Sequence, residues 1–285
     1  MKRIFVSIVA LVLLVTAQEA LAWDGWTHKL IAHIAEPYLT DKAKAETVKY
    51  LGSPIYDHAT WMDRVASWNK KRIRGWEQTS LWHMATVDRV GKGKYALSEK
   101  RTSKGSGALL PQLEKSMEVL RNRQNYTDSA VMINLKCVIH MVQDMHCPVH
   151  IYYTEDEDCF ARKVDGKKVS ARNQMPVYYN GKKSTLHKVW DGLSIRELYP
   201  DYGKDYEKFR QALDKTPAKK RAKMCKGTTA DWLVQNAKDC RCIYEDVQRG
   251  DQIDTKYVLA NKKLSKQQCL RASYRLAHVL NECLQ

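Results

Sequence analysis

Histidine and aspartate residues near the middle of the chain have the spacing of metal ligands. The sequence HMVQDMHCPVH places His140 and Asp144 four residues apart on a predicted helix, so both side chains project from one face. Pro148 interrupts the helix and lets His150 point in a new direction. Imidazole nitrogens and carboxylate oxygens bind zinc well, and one aspartate can bridge two ions. His146 points away from this face, which indicates a structural or supporting role.

Four further pieces of sequence carry the same residue types. LHKVWD repeats the four-residue spacing with His187 and Asp191, TWMDRV contains Asp63, SLWHMAT contains His83 and AWDGWTH contains His28. Taken alone, each is more often a buried core residue, a helix cap or a surface hydrogen bond than a ligand. Their occurrence together favours a mixed nitrogen and oxygen site of the kind that suits zinc.

The first 22 residues have the parts of a secretory signal peptide. Two basic residues precede an apolar run over positions 4–16, and small residues frame a cleavage site after Ala22. The run is short for a membrane span, and no later segment has 18 uninterrupted apolar residues. We therefore expect a signal peptide over 1–22, a secreted or periplasmic mature chain over 23–285 and no stable membrane insertion. An uncleaved anchor is the alternative.

Cleavage after Ala22 would expose the α-amine of Trp23. A free α-amine has an unperturbed pKa of about 7.7, so a metal ion readily displaces its proton. The amine nitrogen and the carbonyl oxygen of Trp23 would then form a five-membered chelate. Trp23 is therefore a candidate ligand, and the alternative is an aromatic residue that only packs at the N-terminus.

The chain is strongly basic. Its formal net charge is +16, and residues 1–22 hold two of the 48 basic and one of the 32 acidic residues, which leaves +15 on the rest. Such a charge favours binding to phosphate-bearing polymers or anionic surfaces. The alternative is a lysine-rich face that is only solvated, which would give the same net charge. Tyrosines such as Tyr152, Tyr153, Tyr178 and Tyr179 are expected either to stack on bases or to pack in the protein.

Eight cysteines in an exported chain permit disulfide bonds, although their spacing does not give the pairing. Cys137 and Cys147 are candidates for free thiols. The sequence GKGK at 91–94 does not have the spacing of a phosphate-binding loop and is expected to follow no clear strand.

Apolar residues recur at three- and four-residue spacing along most of the chain, which is typical of amphipathic helices. The segment around 155–186 is polar and turn-rich, so it is predicted to form a polar loop or a small hairpin. No repeat or linker divides the chain, and we expect a mostly α, single-domain fold. Helices are predicted over 41–51 (between the cap Thr40 and Gly52), 106–124, 128–146, 228–247 and 264–284.

With these residues, the chain resembles the zinc-dependent phospholipase C/nuclease superfamily, and above all its type I single-strand nucleases and 3′-nucleotidases. The similarity runs in order from Trp23 to the closing SYRLAHVLNECL. It implies a helical fold around a trinuclear zinc cleft. It assigns one zinc ion to Asp63, His83, His140 and Asp144, a close neighbour to Trp23, His28 and the shared Asp144, and a third ion to His150, His187 and Asp191.

The resemblance also implies an activity. A monomeric enzyme would hydrolyse single-stranded DNA or RNA to 5′-phosphorylated products and remove the 3′-phosphate of mononucleotides. A water shared by the close pair of zinc ions would attack phosphorus in line, and Asp63 would be the catalytic residue that orients it. The family's base pocket has an aromatic residue and an aspartate where this chain has Met84 and Thr86, so no base preference is implied.

Two other functions fit parts of the pattern. A zinc phospholipase C acting on phospholipid head groups belongs to the same superfamily, but it has a glutamate at the position of Asp191 and an asparagine at that of Tyr153. The other alternative is a zinc-holding binding protein without catalysis. The nine intact ligand positions argue against it, because a decayed site is expected to have lost a ligand.

Overall fold

The computed structural model describes residues 23–69, 79, 82–98, 107–156, 162–164, 167–169 and 171–285, so the predicted signal peptide lies outside the described residues. Within these ranges the fold is mostly α, as the sequence predicts. The helices are α1 (Gly25–Ala35), α2 (Asp41–Leu51), α3 (Ile55–His58), α4 (Trp61–Asn69), α5 (Leu109–Arg121), α6 (Asp128–Asp144), α7 (Leu186–Lys188), α8 (Ser194–Arg196), α9 (Tyr206–Leu213), α10 (Ala218–Met224), α11 (Thr229–Cys240), α12 (Cys242–Glu245), α13 (Thr255–Ala260) and α14 (Lys262–Cys283).

Local sequence signals explain where several helices begin and end. The Thr40 side chain accepts a hydrogen bond from the amide of Ala43 and caps α2, and Gly52 ends that helix in the left-handed conformation at φ +76°. Thr127 caps α6 in the same way through the amide of Ala130. These bounds confirm the helix predicted over 41–51.

One predicted helix is divided in the structure. The segment 228–247 forms α11 and α12, with a break at Arg241, whose side chain turns back to a carboxylate pair from another part of the chain. Arg241 makes two hydrogen bonds to Asp156, at 2.8 and 2.9 Å. The periodicity continues through the break because both short helices are amphipathic, so the sequence does not reveal it.

The core forms where α14 and α6 meet the N-terminal helix α1 and the neighbouring α5. Thirteen of the nineteen side chains of α14 between 265 and 283 are buried, and α6 is buried from position 137 to its end. Full burial of a valine, leucine, isoleucine or methionine side chain contributes about 1.5–3 kcal/mol relative to exposure. Because α6 also carries two of the predicted ligands, this buried core holds the candidate site. No helix in the described ranges has the length and apolar character needed to cross a membrane.

Short strands support the helices. β1 (Ala85–Gly91) is the central strand of one sheet, antiparallel to β2 (Lys94–Leu97) and parallel to β3 (Ile151–Tyr153). Residues 91–94 therefore form the turn of a hairpin, and the expectation that GKGK follows no clear strand is wrong. The pattern was hidden because the second half of β1 is solvent-facing and carries polar residues.

The segment predicted as a polar loop or small hairpin around 155–186 contains two antiparallel strand pairs. β4 (Arg162–Val164) pairs with β5 (Lys167–Val169), and residues 157–161 lie outside the described ranges. β6 (Pro176–Tyr179) pairs with β7 (Lys182–Thr185) through Asn180 and Gly181, whose φ angles of 49° and 74° fit the tight turn that joins two strands. β8 (Gln252–Ile253) adds to β6 in parallel.

The structure also decides how several singled-out residues are used. Tyr153 and Tyr179 are buried, at 1% and 8% exposure, so packing and not base stacking describes them. Every cysteine that the structure describes is a free thiol, Cys137 and Cys147 included. Cys159 lies outside the described residues.

Candidate metal centre

Seven different segments bring the predicted donors together. His140 and Asp144 stand one turn apart at the end of α6, where the sequence places them. A short 3₁₀ turn, Pro148–His150, then redirects the chain. The other donors are His28 on α1, Asp63 in the first turn of α4, His83 just before β1, His187 on α7 and Asp191 in the π-helical turn that follows α7.

The carboxylate of Asp144 is the hub of the cluster. Its Oδ2 lies 2.8 Å from Nδ1 of His83 and 3.1 Å from Nε2 of His140. Its Oδ1 lies 3.4 Å from Nε2 of His28 and 3.6 Å from Nδ1 of His150. One wholly buried carboxylate therefore faces four imidazoles, two from each oxygen. That arrangement suits a carboxylate that bridges two cations.

Asp63 closes the cluster on its open side. Its Oδ1 lies 3.5 Å from Nε2 of His140 and 3.9 Å from Nδ1 of His83, and its Oδ2 lies 3.9 Å from Nε2 of His28. The Asp63 side chain is 19% exposed, whereas those of the facing histidines are at most 1% exposed. Asp63 is thus a donor that also meets solvent.

A second cluster adjoins the first through His150. Nε2 of His150 lies 3.2 Å from Nε2 of His187 and 3.8 Å from Oδ1 of Asp191. Nε2 of His187 lies 3.1 Å from Oδ2 of Asp191. The Cys147 thiol donates a hydrogen bond to Oδ1 of Asp191, with sulfur and oxygen 3.6 Å apart. Cys147 thus lies in one group with His150 and Asp191 and is a further candidate metal ligand, which the predicted ligand set does not include.

Partners outside the clusters orient the donor rings. Nδ1 of His28 hydrogen-bonds with Oε1 of Gln143 at 2.9 Å, and Nδ1 of His140 with the carbonyl of Ala59 at 2.7 Å. Since an oxygen acceptor holds a proton on Nδ1, the Nε2 atom of both rings is the one that faces the cluster. The side-chain amide of Gln174 lies 2.7 Å from Nδ1 of His187 and holds that ring from behind.

Burial and charge act against each other on the ionisable groups. Burial raises the pKa of Asp144, but the charges of His140 and His150 hold it well below its ordinary value. Burial lowers the pKa of His140, but Asp144 and Asp63 raise it well above normal. For Asp191 burial prevails over the opposing effect of His187 and raises the pKa to about 7. The raised pKa of His140 favours a protonated ring that compensates Asp144, and a bound metal cation would replace that proton.

The donors fit metal ions on two observations. Several of their polar atoms are buried without a hydrogen-bond partner, which costs about 1–3 kcal/mol for each atom unless something else pairs with it. The donor atoms of three groups also lie within 4.8 Å of one another: His28, His140 and Asp144; Asp63, His83 and His140; Cys147, His150 and Asp191. The unpartnered atoms are Nε2 of His28, Oδ1 of Asp63, Nε2 of His83, Oδ1 of Asp144 and Nδ1 of His150.

The structure places Trp23 beside the cluster and His146 away from it. Trp23 is wholly buried, and its indole donates to the carbonyl of Gln143 at 2.9 Å. The amide of the next residue donates to the carbonyl of Asp191 at 3.0 Å. His146 uses both ring nitrogens elsewhere, at 2.7 Å from the carbonyl of Val142 and 2.9 Å from Nη1 of Arg275. It is a structural residue, as expected, while metal binding by Trp23 stays a prediction.

Comparison with known proteins identifies the class. The model of the S1/P1 nuclease family matches residues 23–285. Endonuclease 5 of Arabidopsis thaliana is 24% identical over 287 residues, covering 92% of this chain and 90% of that protein. Endonuclease 2 of the same plant is 23% identical over 303 residues, covering 98% and 96%. Nuclease S1 of Aspergillus oryzae is 22% identical over 201 residues, covering 66% and 63%.

These matches and the buried histidine and aspartate donors define a hydrolase that acts on nucleic acids. The chain belongs to the S1/P1 nuclease family.

Proposed function

We propose that the protein is an exported zinc-dependent endonuclease. It hydrolyses single-stranded DNA or RNA to 5′-phosphorylated products and also acts as a 3′-nucleotidase on mononucleotides. The observation that supports this function best is the buried carboxylate of Asp144, which faces four imidazoles and keeps one oxygen without a partner. The printed names of the relatives, endonucleases and a nuclease, agree with the reaction class.

We propose three zinc ions. The distances around Asp144 and Asp63 support a close pair, and those around His150 support a third ion. Trp23 would contribute its amine only after cleavage behind Ala22, as expected for a secreted or periplasmic chain. We propose that the mature protein is a monomer. The proposed ligands are Asp63, His83, His140 and Asp144 for the first ion, Trp23, His28 and Asp144 for the second, and His150, His187 and Asp191 for the third.

Zinc bound at these positions would supply Lewis acidity for the phosphoryl oxygens and would lower the pKa of water toward neutrality. The chain itself positions the reactants. Asp63 reaches solvent with one carboxylate oxygen near His140 and the other near His28, so it can accept a hydrogen bond from an attacking water and orient it. Gln143 and the carbonyl of Ala59 fix the histidine rings, which keeps this geometry constant during the reaction.

The burial of the donors supports a preference for single strands. All the donor histidines are at most 1% exposed, and the solvent-facing donor is Asp63. A phosphate must therefore approach a recessed site, which a flexible single strand does at lower cost than a stiff duplex.

The test is release of acid-soluble nucleotides from single-stranded DNA and RNA by zinc-loaded protein whose mass shows that it begins at Trp23. We expect release that stops on chelation and in Asp63→Asn, and that is much slower on duplex DNA. No release by a preparation that contains zinc would contradict the nuclease function. Phospholipid vesicles then test the alternative of a phospholipase C.

A further inference from the structure

A second charged surface lies away from the proposed metal ligands. α10, α11 and α14 enclose a cavity of about 490 Å³ that no described acidic side chain lines. We propose that this cavity, with an adjoining tyrosine pocket, binds the sugar–phosphate backbone of a single-stranded nucleic acid outside the metal centre. The proposal rests on the proposed function, which makes such a strand the substrate. The lysines of the cavity are Lys220, Lys223, Lys226, Lys263 and Lys266.

The positive charge of the cavity is largely uncompensated. Arg271, which also lines it, pairs with Asp239 at 2.6 Å and is neutralised. For Lys220, Lys223 and Lys263 the described part of the chain provides no carboxylate within ion-pair distance. Adjacent lysines repel one another, so they favour a ligand that brings several negative charges. The phosphodiester backbone of a nucleic acid does this at every nucleotide.

A buried guanidinium forms part of the wall. Arg275 is 1% exposed and has only neutral partners: Nε donates to the carbonyl of Met224 at 2.9 Å, Nη2 to Oε1 of Gln235 at 2.5 Å, and Nη1 lies 2.9 Å from Nε2 of His146. Burial without a carboxylate lowers the pKa of Arg275 to about 9. An anion in the cavity would relieve that burial cost. His146 follows Asp144 by two residues, so Arg275 contacts the segment that carries the proposed metal ligands.

Aromatic rings stand beside the cations. Tyr199 and Tyr202 stack with ring centroids 4.9 Å apart and planes at 6°, and both line a pocket of about 380 Å³ together with two more lysines. Lys266 joins the two concavities, since its Nζ donates to the Tyr199 hydroxyl at 2.6 Å and lies 4.8 Å from the ring centroid. Aromatic rings next to a basic groove are typical of proteins that bind single strands, and they favour nucleic acid over an anionic membrane.

The experiment compares two charge reversals that change the net charge equally. Lys220→Glu/Lys223→Glu alters two of the exposed lysines of the cavity, and Lys92→Glu/Lys94→Glu alters two exposed lysines of the β1–β2 hairpin as a control. Each zinc-loaded protein is assayed on an oligothymidylate of about 20 nucleotides and on the dinucleotide TpT. A dinucleotide has one phosphodiester, which cannot occupy the metal centre and the lysine cavity at the same time. Thermal melting monitored by circular dichroism shows that the variants are folded.

We expect the cavity variant to raise KM for the oligothymidylate about tenfold at low salt and to lower the slope of log affinity against log salt by about 1.4, or about 0.7 for each lost contact. Its hydrolysis of TpT should stay within about twofold of wild type. The control variant should behave as wild type on both substrates. An equal rise in KM for the control variant would overturn the proposal, because the net charge of the protein and not the cavity would then determine binding. A parallel loss on TpT would overturn it too.

Binding is measured separately by fluorescence anisotropy with a phosphorothioate oligothymidylate, which keeps its charge and resists hydrolysis. If wild type hydrolyses neither substrate, the proposed function fails. The anisotropy measurement then tests by itself whether the cavity binds the oligonucleotide. Loss of binding confined to Lys220→Glu/Lys223→Glu supports the site. Unchanged oligonucleotide binding, with loss of binding to vesicles of phosphatidylserine and phosphatidylcholine, would assign the surface to membranes and overturn the proposal.

Discussion

The end of α6 has two sides that use buried histidines in opposite ways. On one side His140 faces Asp144, and an oxygen of Asp144 is left without a partner. On the other side His146 is equally buried, yet both of its ring nitrogens are satisfied by the carbonyl of Val142 and by Arg275. Burial therefore does not mark a metal ligand. We propose that a cluster of buried polar atoms without hydrogen-bond partners does.

The two sides also differ in charge. The ligand side holds an imidazole, His140, and a carboxylate, Asp144, whose pKa values are shifted in opposite directions, as in an ion pair whose proton a metal cation would replace. The other side is a closed network in which burial and then Arg275 hold the pKa of His146 well below normal, so the ring stays neutral. Arg275 stacks on Trp232 with its guanidinium carbon 4.8 Å from the ring centroid. We therefore expect substitutions on the first side to affect metal binding and substitutions on the second side to affect stability.

The largest effect is expected for Asp144→Ala, which removes the hub of the ligand side. Four imidazoles lose the carboxylate that they face, so the proposed pair of zinc ions would lose a shared ligand. If this removes about 4 kcal/mol of transition-state stabilisation, kcat on single-stranded DNA falls about 10³-fold. A steady-state assay with excess zinc checks this. Activity above a tenth of wild type would show that Asp144 is not the hub.

A smaller loss is expected for Gln143→Leu, which leaves the ligands in place. Without Oε1 of Gln143, Nδ1 of His28 loses its acceptor at 2.9 Å and the ring is free to turn. Removal of such a supporting group typically weakens metal binding about 10–100-fold. Competition with a chelator measures the affinity. Gln143→Glu is the matched control, since a carboxylate keeps the acceptor and should retain most of the affinity.

On the other side, Arg275→Met should lower stability and spare the metal. The change leaves Nε2 of His146 and the carbonyl of Met224 without their donor, at a cost of about 1–3 kcal/mol for each buried group. Urea unfolding of the zinc-loaded protein measures the free energy of unfolding. Zinc content should match wild type, and a loss of zinc at unchanged stability would reverse the roles of the two sides.

The smallest effect is expected for Cys147→Ser. The thiol donates to Asp191, and a serine hydroxyl can do the same, so activity should stay within about twofold of wild type. Elemental analysis of the variant should give the same number of zinc ions as in wild type. The loss of one ion would show that the sulfur is itself a ligand.

Local sequence signals account for part of this structure. The cap Thr40 and the left-handed Gly52 bound α2 as expected, and the spacing of His140 and Asp144 places both on one face of α6. The parallel pairing of β1 with β3 was not visible, because it joins Ala85 to Ile151 across the chain. Such contacts depend on tertiary packing, which no local period encodes.

The same division holds for the site. The donor types and order were predicted from sequence, while the supports were not, since the acceptor for His140 is a main-chain carbonyl at Ala59 and that for His28 is Gln143. A backbone carbonyl carries no sequence signature. The lysines of α10 are visible as a basic run, but only folding brings Lys263 and Lys266 of α14 to them.

The most direct test of the difference between the two sides is the number of zinc ions that the protein beginning at Trp23 holds, counted by native mass spectrometry for wild type, Asp144→Ala and His146→Gln. We expect three ions in wild type and in His146→Gln, and at least two fewer in Asp144→Ala. A wild-type protein without zinc, or equal losses in the two variants, would contradict the conclusion that unsatisfied buried donors mark the metal centre.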